Sequence, residues 1–280
     1  MEIHHYTKAS TLPLILQSGK IRFTRADHLD DLLELPFETF HLSRQAHFIS
    51  SWVKSTVEKS GQWYRYADQH RGVRLSFKGS PFSMNKLKLE FSRPYRAKDG
   101  ALSKLGVEVN DAPAPFTKET MFGKGYVLIP WADEGAFGGE VVYVEDPVVY
   151  IRQFVRSTPE ATETVGGSSL CRIKAAHWED QSEFRFTLMA VRGPELIYED
   201  NPSEYEHEFL NLMEQWFPSG AGAPPPDIGF IDLPIDTLML DHMTVTLGSG
   251  ISEKDRKAVL QAIQCYAPNA IVKESAILAR

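Results

Sequence analysis

Two cysteines in 280 residues, Cys171 and Cys265, are too few and too far apart for a disulfide framework or a metal knot. Each reads as a buried thiol, and the reducing cytoplasm is the expected compartment. No run of 18 apolar residues occurs, so no membrane span is expected. The opening MEIHHYTKAS has no basic stretch followed by an apolar one, so no secretory signal is expected there. Walker A, G-x-S-x-G and H-E-x-x-H sequences are all missing, which removes P-loop nucleotide hydrolases, elbow-type serine hydrolases and zincins. Nine histidines are scattered, and the adjacent pair His4 and His5 points to opposite faces of a strand, so no metal is expected.

What remains is a globular composition, 42% hydrophobic and 11% aromatic, long enough for a sizeable core. The net charge of −7 hides an asymmetry. Residues 1–130 carry 19 Lys and Arg against 13 Asp and Glu, and residues 131–280 carry 11 against 24. A basic N-terminal half suits an anionic ligand such as a dinucleotide or a nucleic acid; uneven surface charge with no partner is the plain alternative.

The chain opens as strand, short helix, glycine, strand. Glu2–Thr7 is the first strand, Ser10 or Thr11 caps a helix carrying Leu12, Ile15 and Leu16, Gly19 ends it, and Lys20–Thr24 is the second strand. Asp27–Phe40 is acidic and leucine-rich, a loop and a helix interrupted at Pro36. His47–Trp52 reads as a buried strand and Gln62–Asp68 as helix with Trp63, Tyr66 and Ala67 on one side. Gly72–Phe77 alternates Val73, Leu75 and Phe77 inward. Residues 79–140 give short strand candidates at Lys86–Phe91 and Gly125–Ile129 among loops. Glu140–Val144 reads as strand, Val148–Val155 as strand or helix, Thr158–Ser169 as loop and Tyr205–Phe217 as amphipathic. Gly220–Pro226 punctuates the chain before an apolar β-like run, Leu238–Leu247. After Gly248-Ser249-Gly250, Ser252 caps a helix to about Tyr266, and Ile271 starts a last strand.

The chemistry concentrates in KAAHWEDQSEFRFTL, Lys174–Leu188. Read as one strand, it puts Gln181, Glu183 and Arg185 on one face and Phe184 and Phe186 on the other. An amide, a carboxylate and a guanidinium on one sheet surface are held more rigidly than on a loop. Two further clusters precede it: His5-Tyr6-Thr7 with Arg22 and Arg25, and Ser50-Ser51 with Trp63 and Tyr66.

HYTKASTLPLILQSGKIRFTRADHLDD, WYRYADQHRGVRLSF, KAAHWEDQSEFRF and the closing IVKESAI resemble a bacterial family of domains of unknown function found among defence and toxin-like genes. That family carries a Tyr-Thr start, an Asn-Asp-Pro-Phe-Glu segment, a Trp-x-x-Tyr-Ala segment and a Trp-x-x-Glu-x-Glu-x-Arg segment. LDDLLELPFE departs from the second of these, and Gln181 replaces the first glutamate of the last, while Trp178, Glu183 and Arg185 match. More remotely, the His-x-Thr start and Gln181-Ser182-Glu183 are similar to ADP-ribosyltransferase openings and to the Gln/Glu-x-Glu signature near their catalytic strand.

The resemblance implies NAD as substrate. Cleaving its nicotinamide–ribose bond passes through an oxocarbenium-like state, as glycoside cleavage does. Glu183 would stabilise that charge and hold a ribose hydroxyl, and Gln181 would orient the acceptor. His5 and Thr7 would hold ribose and amide, and Tyr66 or Tyr6 would stack on the nicotinamide, beside Trp63. Ser50 or Ser51 would position the ring strand, and Arg22 or Arg25 would grip the pyrophosphate bidentately. The alternatives are a core histidine at position 5, core aromatics at 63 and 66, and an Arg185 that touches no cofactor and only partners Glu183.

The expected fold is α+β: a split mixed or antiparallel sheet of the ADP-ribosyltransferase type with flanking helices. Residues 1–217 would form that domain, and 227–280 a strand-helix-strand extension on the same core. The expected activity is mono-ADP-ribosylation of a macromolecule, nucleic acid slightly ahead of protein, by a toxin or antiphage effector that an antitoxin or regulatory protein partners. An NAD glycohydrolase and a non-catalytic interaction module are the alternatives.

Overall fold

Residues Glu183–Arg192 form the strand on which the sheet hangs, and every position but the last is buried. Its polar and apolar side chains alternate from Glu183 to Leu188, yet both faces are covered, so the polar face is an interior surface rather than a solvated one. The computed structural model describes residues 1–31, 33, 35, 43–96, 100–130, 134–157, 162–216 and 222–278.

In chain order the elements begin β1 (Glu2–Thr7), α1 (Leu12–Ser18), β2 (Lys20–Arg25), β3 (His47–Val53), α2 (Ser60–Tyr66) and β4 (Val73–Lys78). A long hairpin, β5 (Asn85–Arg96) and β6 (Leu102–Ala114), is followed by α3 (Lys118–Met121), β7 (Phe122–Gly123) and β8 (Tyr126–Leu128). Next come β9 (Gly138–Glu140), β10 (Val142–Val144), α4 (Pro147–Arg152), β11 (Val155–Ser157), β12 (Thr162–Thr164) and β13 (Ile173–Ala175). The chain ends with β14 (Glu183–Arg192), α5 (Pro202–Trp216), β15 (Phe230–Pro234), α6 (Thr237–Asp241), β16 (Thr244–Leu247), α7 (Glu253–Tyr266) and β17 (Ile271–Glu274).

The main sheet is mixed, in the order β17-β16-β4-β1-β3-β14-β8-β7, with β2, β9 and β15 branching from it. Among the described residues only β16 and β17 pair in parallel within it. The fold class is therefore α+β with a mixed sheet. β15 pairs with β2, β16 with β4 and β17 with β16, so these three C-terminal strands extend the same sheet. The β16-α7-β17 unit forms as its sequence indicates, with the Ser252 hydroxyl accepting from Asp255 N–H at 3.1 Å.

The core lies on the apolar face of β3 and β14. Phe186 meets Trp52 at 5.8 Å and Phe82 at 4.9 Å between ring centroids, both edge-on. Such pairs each contribute roughly 0.5–1.5 kcal/mol beyond their burial. α1 buries Leu12, Ile15 and Leu16 and stops at Gly19, whose φ of 62° is the left-handed cap. Thr11 precedes that helix without a side-chain cap bond. Gly72 lets the chain after α2 return beside β1, because a Cβ there would lie 2.2 Å from the Thr7 carbonyl oxygen.

Several local readings change. Lys174–Leu188 is not one strand: β13 runs into a 3₁₀ turn, Ala176–Gln181, before β14 begins. Gln181 therefore sits on the turn. Glu140–Val144 divides at Val141, β9 pairing with β14 and β10 with β13. Leu238–Leu247 holds α6 before β16. The 79–140 region contains the long hairpin, a feature its Pro94 and Gly106 disguise. Cys171 is buried as expected, but Cys265 is exposed on α7. The loop expected over Thr158–Ser169 instead holds β12 and the start of a 3₁₀ turn, Gly167–Arg172. The helix expected around Pro36, the first residues of that loop (158–161), Phe217 and the start of the Gly220–Pro226 stretch lie outside the described residues.

Candidate functional site

The sheet splits along one edge of β3. β1 meets that edge only at its end, His4 opposite Val53. β2 meets it at its start, Thr24 opposite Ile49 and Arg25 opposite Phe48. Ser50, Ser51 and Trp52 lie between, and a cavity of about 680 Å³ opens there, roofed in part by α1. That size is within the range of small-molecule sites. The His5 ring reaches across the split, its Nδ1 3.2 Å from the Ser51 carbonyl oxygen.

The cavity gathers His5, Tyr6, Thr7, Arg22, Ser50, Ser51, Tyr66, Gln181, Glu183 and Arg185. Of the residues named from the sequence, Arg25 and Trp63 are elsewhere. Arg25 grips Asp27 with two bonds, 2.7 and 3.1 Å, and the Ile228 carbonyl at 3.1 Å. Trp63 is wholly buried beneath α2, edge-on to Tyr6 and donating to Glu58 at 2.9 Å. Its aromatic spacing marks a core position. Ser50 touches the cavity but its hydroxyl turns to the core, accepting from Trp52 Nε1 at 3.0 Å.

The floor is an ion triad. Glu183 accepts from Arg185 Nε at 2.7 Å on Oε1, and on Oε2 from Arg185 Nη2 at 3.1 Å and Lys174 Nζ at 3.0 Å. Arg185 also donates to the Cys171 carbonyl at 2.7 Å. Burial pushes the Glu183 carboxyl up, but Arg185, Lys174 and the facing Ser51 hydroxyl outweigh it and hold it down to about 2. Its backbone N–H donates to the Tyr143 hydroxyl at 2.8 Å, and burial pushes that phenol up to about 12. A carboxylate has roughly four acceptor positions, and the three cation N–H bonds and the facing Ser51 hydroxyl draw on all of them, so a ligand hydroxyl reaches Glu183 only in place of Ser51.

α2 straps the turn that delivers this floor. Lys59 donates to the Asp180 carbonyl and the Ser182 hydroxyl, Gln62 to the Gln181 carbonyl at 3.0 Å, and Arg65 to Asp180 Oδ2 at 2.9 Å. Ser182 takes a left-handed φ of 46°, which swings the chain from the turn into β14. The Gln181 amide is 2% exposed and bonded at both ends, to Lys174 and Tyr66. It faces inward to the protein rather than outward to an acceptor molecule.

The walls differ in polarity. Burial lowers the His5 imidazole to about 4, so it is neutral near pH 7, and its bond to a carbonyl places the proton on Nδ1. Nε2 is then an acceptor. Asp31 is nine-tenths buried beside the cavity; its Oδ1 accepts from Leu33 N–H at 2.9 Å, and Oδ2 has no hydrogen-bond partner among the described residues. At the mouth, Arg22 lies 3.5 Å over the Phe230 ring and forms a fork to Asp232, 2.9 and 3.0 Å.

Sequence reasoning missed Lys174, Asp31, Tyr143 and Asp232. Lys174 had one signal, a lone lysine inside the buried run Ile173–Ala175. Asp232 had none without the pairing that sets it opposite Arg22. Among the described residues there is no group of three or more His, Cys, Asp or Glu side chains suited to a metal, and no helix long and apolar enough to cross a membrane. No family model, curated protein or solved structure matches this chain.

Proposed function

We propose that the chain binds NAD in the split-sheet cavity and transfers its ADP-ribosyl group to a macromolecular acceptor, as a toxin or antiphage effector. The observation that carries the reading is the convergence of His5, Ser51, Tyr66 and Glu183, from four separate stretches, on one cavity. In the reaction the ribose–nicotinamide bond breaks and its electron pair leaves with nicotinamide. The acceptor's nucleophile bonds to the ribose carbon and gives up its proton. Glu183, ionised at any physiological pH, receives a ribose hydroxyl in place of the Ser51 hydroxyl and faces the developing positive charge. The unpartnered Asp31 oxygen and His5 Nε2 take further hydroxyl or amide donors. Arg22 reaches a pyrophosphate only by releasing Asp232. The basic N-terminal half favours a nucleic-acid acceptor, since phosphate contacts draw on Lys and Arg.

One observation favours a second reading, a nucleotide-binding module without chemistry. Lys174 and Arg185 already compensate Glu183, which weakens its pull on a developing cation. The test is incubation of purified protein with labelled NAD and cell lysate, followed by separate nuclease and protease digestion. Label removed by nuclease supports a nucleic-acid target, and label removed by protease a protein target. Free ADP-ribose formed without lysate would instead mean glycohydrolysis. NAD bound in calorimetry with neither label nor nicotinamide release would establish the binding module. Glu183→Gln, with its fold checked by circular dichroism, is expected to abolish transfer.

A further inference from the structure

The turn before β14 contains hydrogen bonds whose direction is fixed by their first member. Lys174 Nζ lies 2.9 Å from the Gln181 side-chain oxygen. An ammonium only donates, so the Gln181 atom facing it must be the carbonyl oxygen, and the amide nitrogen points the other way. That nitrogen lies 3.3 Å from the Tyr66 hydroxyl oxygen and donates to it. The Tyr66 oxygen is thereby an acceptor within the protein, and its own proton remains to be donated. Among the described residues no acceptor takes it, and Tyr66 lines the cavity with 41% of its surface exposed.

We infer that Lys174 is a positioning residue: it sets the Gln181 amide and so leaves the Tyr66 hydroxyl proton for an acceptor oxygen of the cavity's ligand. Resting on the NAD reading, this makes Tyr66 a polar contact to a carbonyl, ring or phosphate oxygen rather than only a stacking surface. Lys174 has two duties at once, because the same ammonium bonds Glu183 at 3.0 Å. Removing it disturbs both, so the decisive variant lies one residue along the relay. Gln181→Glu keeps the size of the side chain and the partner of Lys174. A carboxylate presents acceptors on both oxygens, so the Tyr66 proton would turn to it and leave the cavity.

The experiment is a double-mutant cycle read by NAD calorimetry, with the Tyr66 phenol titration as a readout that needs no ligand. Tyr66→Phe is expected to weaken NAD binding about fivefold to tenfold, the size of one neutral hydrogen bond. In the Gln181→Glu background the same substitution should change affinity little, and Gln181→Glu alone should bind as weakly as Tyr66→Phe. The Tyr66 phenol should titrate higher in Gln181→Glu than in the wild type. In Lys174→Met the Tyr66→Phe penalty should shrink. ADP-ribose titrated in parallel assigns the acceptor: a penalty kept with ADP-ribose places it there, and a penalty lost places it on nicotinamide.

Additive losses in the cycle, or an unmoved Tyr66 titration, would overturn the relay. An undiminished penalty in Lys174→Met would remove Lys174 from it. A shifted titration together with no NAD binding by the wild type would sink the NAD reading and leave the relay standing.

Discussion

The floor and the mouth of the cavity are both closed by ion pairs, and the two behave as different materials. On the floor Lys174, Glu183 and Arg185 are 7%, 7% and 1% exposed, with Glu183 bonded to both cations and Arg185 also to the Cys171 carbonyl. At the mouth Arg22 and Asp232 are 56% and 36% exposed. Charges taken out of water depend on their partners, because a stranded buried ion has no solvent to return to. Charges at the surface exchange partners at little cost. The floor is therefore a fixed template, and the mouth is a latch.

Breaking the floor should have the largest effect. Arg185→Met leaves Glu183 short of its bidentate partner and should cost about 3–5 kcal/mol in urea denaturation. A smaller effect comes from acid. Glu183 is depressed from 4.5 to about 2 in the folded protein, so the unfolded chain takes up a proton first. Its stabilisation is complete above pH 4.5 and disappears as pH falls through 2, about 3 kcal/mol in all. Glu183→Gln should flatten that part of the stability–pH curve. His5 adds a limb at higher pH: its imidazole, lowered from 6.5 to about 4, is protonated in the unfolded chain before the folded one. Stability should decline as pH drops from 6.5 towards 4, and His5→Asn should remove that decline.

The mouth should yield least in stability and most in binding. Asp232→Asn should change folding by about 1 kcal/mol or less. Freed from its carboxylate, the Arg22 fork should bind a pyrophosphate more tightly, with a steeper loss on adding salt. Unchanged affinity and salt dependence would show that Arg22 does not meet the ligand.

The floor was partly legible because local periodicity placed Glu183 and Arg185 on one face, and they are bonded to each other. Gln181 was misplaced onto the strand because the polar alternation of Gln181, Glu183 and Arg185 runs back smoothly into a turn that the left-handed Ser182 ends. The first strand-helix-strand unit followed from Gly19 and the apolar spacing of Leu12, Ile15 and Leu16, all local signals. Asp31 and Asp232 were not legible, since each acquires its role from a partner or cavity that long-range pairing creates, and Lys174 carried only the signal of a lone lysine in a buried run. Trp63 and Tyr66 show the limit of helical spacing. Their register is close, yet one is a core residue and the other lines the cavity.

Calorimetric titration of NAD into wild type and Asp31→Asn decides whether NAD occupies this cavity. Measurable binding by the wild type is expected, with about tenfold or greater weakening when the Asp31 carboxylate is replaced by the amide. No binding by the folded wild type, or equal binding by both, would contradict it.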